Sequence, residues 1–218
     1  MLFAFVFICK QYYNNPMATT NRFQKAEQIF QAHHGLLRTA EAIRLGIAPA
    51  TLYTLRDTGA IVQESRGLYR LADVMLERAP DLIRVSQRVP NGVICLISAL
   101  DFHELTTQIP HQVYLALPRR SRIPQLDYPA LAVVRLSEPA YSAGIEVHKL
   151  DGFPVKVYSP EKTLADCLKF RNKIGLDVAL EALKTYMNRA GIQIEMLLHY
   201  ARVDRVESLM QRYLEILV

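Results

Sequence analysis

The stretch "RTAEAIRLGIAPATLYTLRDTGAIVQESRGLYRL", residues 38–71, decides how the N-terminal part of the chain is read. Thr39 is a good helix cap, and "AEAIRL" carries about two helical turns to a stop at Gly46. Pro49 then fits the first turn of a further helix running to Thr58, with Leu52 and Leu55 inward and Gly59 as its stop. Ala48 is a weak cap for that helix. After it, "AIVQE" and "LYRL" read as two strands joined by Ser65, Arg66 and Gly67. Two helices across a tight turn, followed by a basic hairpin, are the parts of a winged helix-turn-helix.

Upstream, Phe23, Ala26, Ile29 and Phe30 follow helical spacing from Thr20, and Gly35 sits where a C-terminal cap belongs. The opening "MLFAFVFICKQYYNNPMATTN" has an apolar run from Leu2 to Cys9, but no Lys or Arg precedes the run and no small-residue cleavage site follows it. It is also far shorter than the roughly 20 residues that span a bilayer. Met17 therefore reads as the first residue of the functional protein, and residues 1–16 as an extension from an upstream start, the alternative being a short ordered or disordered tail.

Downstream, residues 73–90 read as a connecting helical segment interrupted at Pro80, and a second region covers 91–218. "VICLISALDFHEL" reads most economically as a buried helix, although so apolar a start also suits a strand. "HQVYLAL", "ALAVVRL", "IEVHKL" and "FPVKVYS" are strand-like, with Asp151 and Gly152 as a hairpin turn. The tail is helical over 160–170, 176–188, 192–200 and 203–217, the last with an apolar stripe of Val203, Val206, Met210, Tyr213 and Leu217. The expected class is α+β: a winged helix-turn-helix domain over 18–72, then a mixed α/β domain with a helical C-terminus.

The 218 residues, 50% apolar, can bury a proper core, and the net charge of +5 permits a nucleic-acid partner without requiring one. Three distant cysteines without a CxxC pair suggest neither a disulfide framework nor a zinc site, which fits a reducing cytoplasm. His103 opens "HEL", but position 107 is Thr, so there is no HExxH, and a surface or helix-end role suits all six histidines. No phosphate-cradling glycine loop occurs, and no Asp or Glu has Lys two positions on, as a restriction-type nuclease would want. The expectation is a protein that is not an enzyme, with no catalytic residue, metal or cofactor. The alternative is a nucleic-acid-processing enzyme whose winged helix positions a catalytic C-terminal domain.

If the helix from Pro49 is a recognition helix, Thr51, Tyr53, Thr54 and Arg56 are free to reach DNA, with Arg56 the first choice for a guanine edge. Arg38, Thr39 and Arg66 fall where backbone phosphates would lie. The same scaffold can serve protein contact alone, with Arg56 merely solvated. "PRRSRIP" puts Arg119, Arg120 and Arg122 on a Pro-bounded loop, either a second phosphate contact or an ordinary solvated loop. In "SPEKTLADCLKFRNKIGLD", Ser159 caps a well-made helix, and Asp166, Lys169, Arg171 and Lys173 are left as a charged face for a partner.

Together, "GLLRTAEAIRLGIAPATLYTLRDTGAIVQESRGLYRL", "VICLISALDFHELTTQIP", "SPEKTLADCLKFRNKIGLD" and "YARVDRVESLMQRYLEIL" resemble the AbiEi antitoxins of bacterial abortive-infection (type IV) toxin-antitoxin systems, from near Thr20 to the end. The resemblance implies a transcriptional autorepressor whose winged helix binds double-stranded DNA at inverted repeats in its own promoter. It further implies a C-terminal antitoxin domain that counters a nucleotidyltransferase-like toxin, without implying a direct complex. The chain is not that toxin, since it has neither a Gly-Ser dipeptide nor a DxD pair to hold metal ions. No membrane partner is expected.

Overall fold

A computed structural model describes residues 16–74 and 79–217. The chain divides into two compact units, Met1–Leu76 and Glu77–Val218. The stretch set apart as an upstream extension lies outside the described residues up to 15; Pro16 and Met17 open the first helix.

The first unit runs α1 (Pro16–Ala32), β1 (Leu36–Arg38), α2 (Thr39–Arg44), α3 (Pro49–Asp57), β2 (Ile61–Ser65) and β3 (Leu68–Leu71). Both β1 and β2 pair antiparallel with β3, giving a three-stranded sheet in the order β1-β3-β2. β1 was not anticipated, because three residues are too few to show a strand's alternation. Thr39 does not cap α2: it is the first helical residue, Arg38 holds the cap position, and no side chain bonds there. The link between α2 and α3 works through Gly46, whose φ of 93° lets the chain reverse. Ile47 is then buried beside Leu52 and Leu55 of α3. With Ala26 and Phe30 of α1 and Ile61, Tyr69 and Leu71 of the hairpin, these residues make one core. Each buried large apolar side chain contributes about 1.5–3 kcal/mol.

The second unit begins with α4 (Pro80–Arg88), the helical part of the stretch expected to connect the regions; its Leu82, Ile83 and Val85 are buried. β4 (Val93–Ile94) and α5 (Leu96–Phe102) follow, so the apolar run read as one helix is a two-residue strand and then a helix. Then come β5 (Val113–Pro118), β6 (Leu131–Leu136), β7 (Ile145–Leu150) and β8 (Phe153–Tyr158), forming with β4 a mixed sheet in the order β6-β5-β4-β8-β7. Asp151 and Gly152 take left-handed φ values of 47° and 85° and turn β7 into β8, as the sequence indicates.

The tail is α6 (Pro160–Lys169), the short α7 (Arg171–Ile174), α8 (Leu176–Met187), α9 (Ile194–Val203) and α10 (Glu207–Leu217). Ser159 caps α6 by accepting from the Lys162 amide. The apolar stripe expected over 203–217 is interrupted, because Asp204 ends α9 and Arg205 turns the chain at φ 62°; Val203 therefore lies on another helix than Met210. Val93, Ala116, Val134 and Tyr158 share a core with residues of α5, α6, α8, α9 and α10. Ile94, Leu115 and Val157 alternate to the sheet's other face, where α4 packs on β5 and β8. The class is α+β.

Candidate nucleic-acid interface

Leu52 and Leu55 fix the rotation of α3: with both inside the core, Tyr53, Thr54, Arg56 and Asp57 are exposed and Thr51 is half-buried. Tyr53 and Arg56 meet, the guanidinium carbon lying 5.3 Å from the ring centroid. Arg56 Nε and Nη2 both donate to Asp57 Oδ1, at 2.9 and 2.7 Å. That hydrogen bond raises the Arg56 pKa above its ordinary value. The guanidinium is thus oriented but already occupied, and because the pair is solvated and salt-screened, a stronger acceptor can displace the carboxylate. Thr54 Oγ1 donates to Ala50 O at 2.8 Å, so its hydroxyl is turned back on the helix.

The other first-unit residues gather around the hairpin. The Thr39 amide donates to Gly67 O at 3.0 Å, tying the start of α2 to the hairpin turn. Arg38, half-buried, pairs in register with Leu68 of β3, and Arg66 is exposed at the turn itself. Inside the hairpin Arg70 Nε donates to Glu64 at 2.6 Å, a largely buried ion pair that stiffens the two strands against each other. The structure therefore forms two groups, Tyr53 with Arg56 on α3 and Arg38, Thr39 and Arg66 about the hairpin turn.

In the second unit Arg119, Arg120 and Arg122 are exposed on the loop after β5. Of the charged face expected from Asp166, Lys169, Arg171 and Lys173, Asp166 is internal, Lys169 and Arg171 are half-buried, and Lys173 is exposed, with Arg171 and Lys173 on α7 and not on α6. Asp166 is 1% exposed and Lys162 0%. Lys162 Nζ donates to Asp166 Oδ1 at 2.6 Å and to Asp204 Oδ2 at 3.0 Å, and Lys169 Nζ donates to Asp204 Oδ1 at 3.0 Å. The Lys162 ammonium also lies 4.7 Å from the Tyr158 ring centroid. Burial pushes Asp166 up to about 8, against the lowering effect of Lys162 and with Asp204 adding to the rise. Gly144 is required beside this cluster, since a Cβ there would come within 2.6 Å of Lys162 Cβ. Asp166 is thus a core group and not a partner contact, Lys169 is half-committed to Asp204, and Arg171 Nη1 donates to Leu168 O at 2.9 Å.

His103 and His148 line a polar cavity with Glu146, Glu161, Tyr186 and Arg189. His103 Nε2 bonds Tyr158 O at 2.7 Å, and burial holds its pKa below the ordinary value. Among the described residues no three His, Cys, Asp or Glu side chains converge as metal ligands would.

Residues 24–72 match the profile of a family described as transcriptional regulator, AbiEi antitoxin. The first unit carries the AbiEi resemblance. The match spans α3 and the hairpin but stops before the second unit. Among solved structures, the crystal structure of the RV2827C protein from Mycobacterium tuberculosis is similar over 91% of this chain and 81% of its own, with 14% identity and a TM-score of 0.56. At that identity the likeness is one of fold. No curated protein matches. No described helix is long and apolar enough to cross a membrane.

Proposed function

We propose that the chain is an AbiEi-type antitoxin that represses its own operon, with the first unit as a winged helix-turn-helix on double-stranded DNA. The observation that carries the reading is the exposed face of α3, a nine-residue helix whose Leu52 and Leu55 anchor it while Tyr53 and Arg56 stand outward. The hairpin would be the wing, and Arg66 with Arg38 and Thr39 would hold phosphates beside it. Once displaced from Asp57, Arg56 would read a guanine edge with Tyr53 and Thr51 alongside.

The family match supports transcription regulation, and the inverted repeats of its own promoter are the sites such a protein would take. The second unit would counter a nucleotidyltransferase-like toxin without chemistry of its own, in the cytoplasm. Arg119, Arg120 and Arg122 are its exposed candidates for phosphate or partner contact. Selection of bound duplexes from a random pool by the full chain should yield an inverted repeat that recurs upstream of its gene. Recovery of no preferred sequence would overturn the repressor reading. Co-production with the toxin encoded beside it should restore growth, and failure to do so would overturn the antitoxin reading.

A further inference from the structure

We infer that the second unit holds a binding site for the phosphate chain of a nucleotide, in a cavity of about 490 Å3 between α7 and the α9–α10 turn. Four arginines line it from separate elements: Arg171 of α7, Arg202 of α9, Arg205 of the turn and Arg212 of α10. One carboxylate faces them, Glu207, and it is engaged by Arg202 through Nη2 at 2.8 Å. Among the described residues no carboxylate lies within ion-pair distance of Arg171, Arg205 or Arg212. Three arginines therefore line one concavity without a carboxylate partner, Arg171 and Arg212 each giving one N–H to a backbone carbonyl, of Leu168 at 2.9 Å and Ser208 at 3.4 Å. Such an excess of fixed positive charge in a concavity raises the local concentration of anions.

The cavity is also held in shape. Arg205 takes a left-handed φ of 62°, uncommon for a residue with a Cβ, and Val206 N bonds back to Ala201 O at 2.8 Å to close the turn. The residue before it, Asp204, is buried and receives both Lys162 and Lys169. The buried ammonium thus fixes the turn that carries Arg205, a rigid support that a solvated loop would lack.

Three arginines lining one concavity suit several phosphoryl oxygens better than one, because each keeps two N–H donors for a fork beyond any backbone bond it makes. The concavity favours a short polyphosphate chain over a rod-like duplex. No aromatic side chain lines the cavity, so the site would accept the phosphates without choosing the base. This site is independent of DNA reading by the first unit.

The test titrates the full chain with inorganic tripolyphosphate, ATP, GTP and orthophosphate, by calorimetry at two salt concentrations. A double charge reversal, R205E with R212E, is compared with K184E with R135E, two exposed positions elsewhere in the unit. We expect saturable one-to-one binding of tripolyphosphate, ATP and GTP at similar affinity. The first variant should lose about tenfold or more, since each lost charge-assisted contact weakens binding several-fold, and the second should lose little. Circular dichroism and an unchanged melting temperature establish that both variants are folded; if R205E with R212E is not, R212Q alone should weaken tripolyphosphate binding. Absence of saturable binding, equal losses in the two variants, or orthophosphate binding as tightly as tripolyphosphate would each overturn the proposal. A loss confined to random duplex DNA would mean a backbone contact and would overturn it too. Operator binding that fails while tripolyphosphate binding persists would tell against the first unit's role and leave this site standing.

Discussion

Arg56 and Lys162 meet carboxylates in opposite settings. Arg56 and Asp57 are neighbours in sequence and both lie in solvent, with side chains 40% and 64% exposed. Lys162 is 42 positions from Asp204, and neither is exposed. An exposed pair is worth little and exchanges partners readily, whereas a buried ion is held because leaving it unpaired is costly. The first arrangement suits a surface that must release its arginine to a ligand. The second suits a node that fixes α6 against the end of α9.

Lys162→Ala should give the largest effect, a loss of about 3–5 kcal/mol in the second unit, because buried Asp166 loses its ammonium partner and Asp204 is left with Lys169 alone. Thermal unfolding followed with hydrogen exchange should place that loss in 79–217 and spare the first unit. Replacing all three partners together, Lys162→Met with Asp166→Asn and Asp204→Asn, should recover most of it. If Lys162→Ala is no worse than an average surface change, the node does not hold the unit together.

A smaller effect concerns pH. Asp166 is raised to about 8 in the folded chain, while an unfolded Asp titrates near 3.9. Between those values the folded state binds more protons than the unfolded one. The contribution is therefore greatest at low pH and declines as pH rises toward 8, by up to about 1.4 kcal/mol per pH unit for one proton. Denaturant unfolding from pH 5 to 8.5 should show a shallower decline in Asp166→Asn than in the wild type. Parallel curves would mean that Asp166 is ionised throughout.

Smallest is Asp57→Ala. Freeing Arg56 and removing a carboxylate from a DNA-facing helix should tighten operator binding by less than about fivefold, the scale of one exposed pair. Weaker binding measured by fluorescence anisotropy would show that Asp57 positions Arg56 and does not compete for it.

The same contrast explains what the sequence could tell. Helix spacing, Gly46, Pro49 and Gly67 are local signals, so α2, α3, β2 and β3 were legible from 38–71 alone, as was the exposure of Tyr53 and Arg56 once Leu52 and Leu55 were assigned inward. β1 was missed because its pairing with β3 is a contact across 30 residues and its three residues carry no period of their own. Asp166 was read as surface because charge alone places it there. Its burial depends on Lys162 one turn earlier, whose spacing was visible, and on Asp204, whose position was not. The arginine cavity escaped for the same reason, since Arg171 meets Arg202, Arg205 and Arg212 only in the folded tail.

The central claim is that α3 reads DNA and the hairpin holds it. The direct measurement is fluorescence anisotropy of wild type, Arg56→Ala and Arg66→Ala on the selected operator and on random duplex at several salt concentrations. Arg56→Ala should weaken operator binding roughly tenfold to a hundredfold and narrow its margin over random DNA, as the loss of a bidentate base contact does. Arg66→Ala should weaken both DNAs alike and lower the slope of log affinity against log salt by about one, for one lost phosphate contact. Unchanged binding in both variants, with the fold intact, would contradict the account and leave the exposed face of α3 as a protein-contact surface.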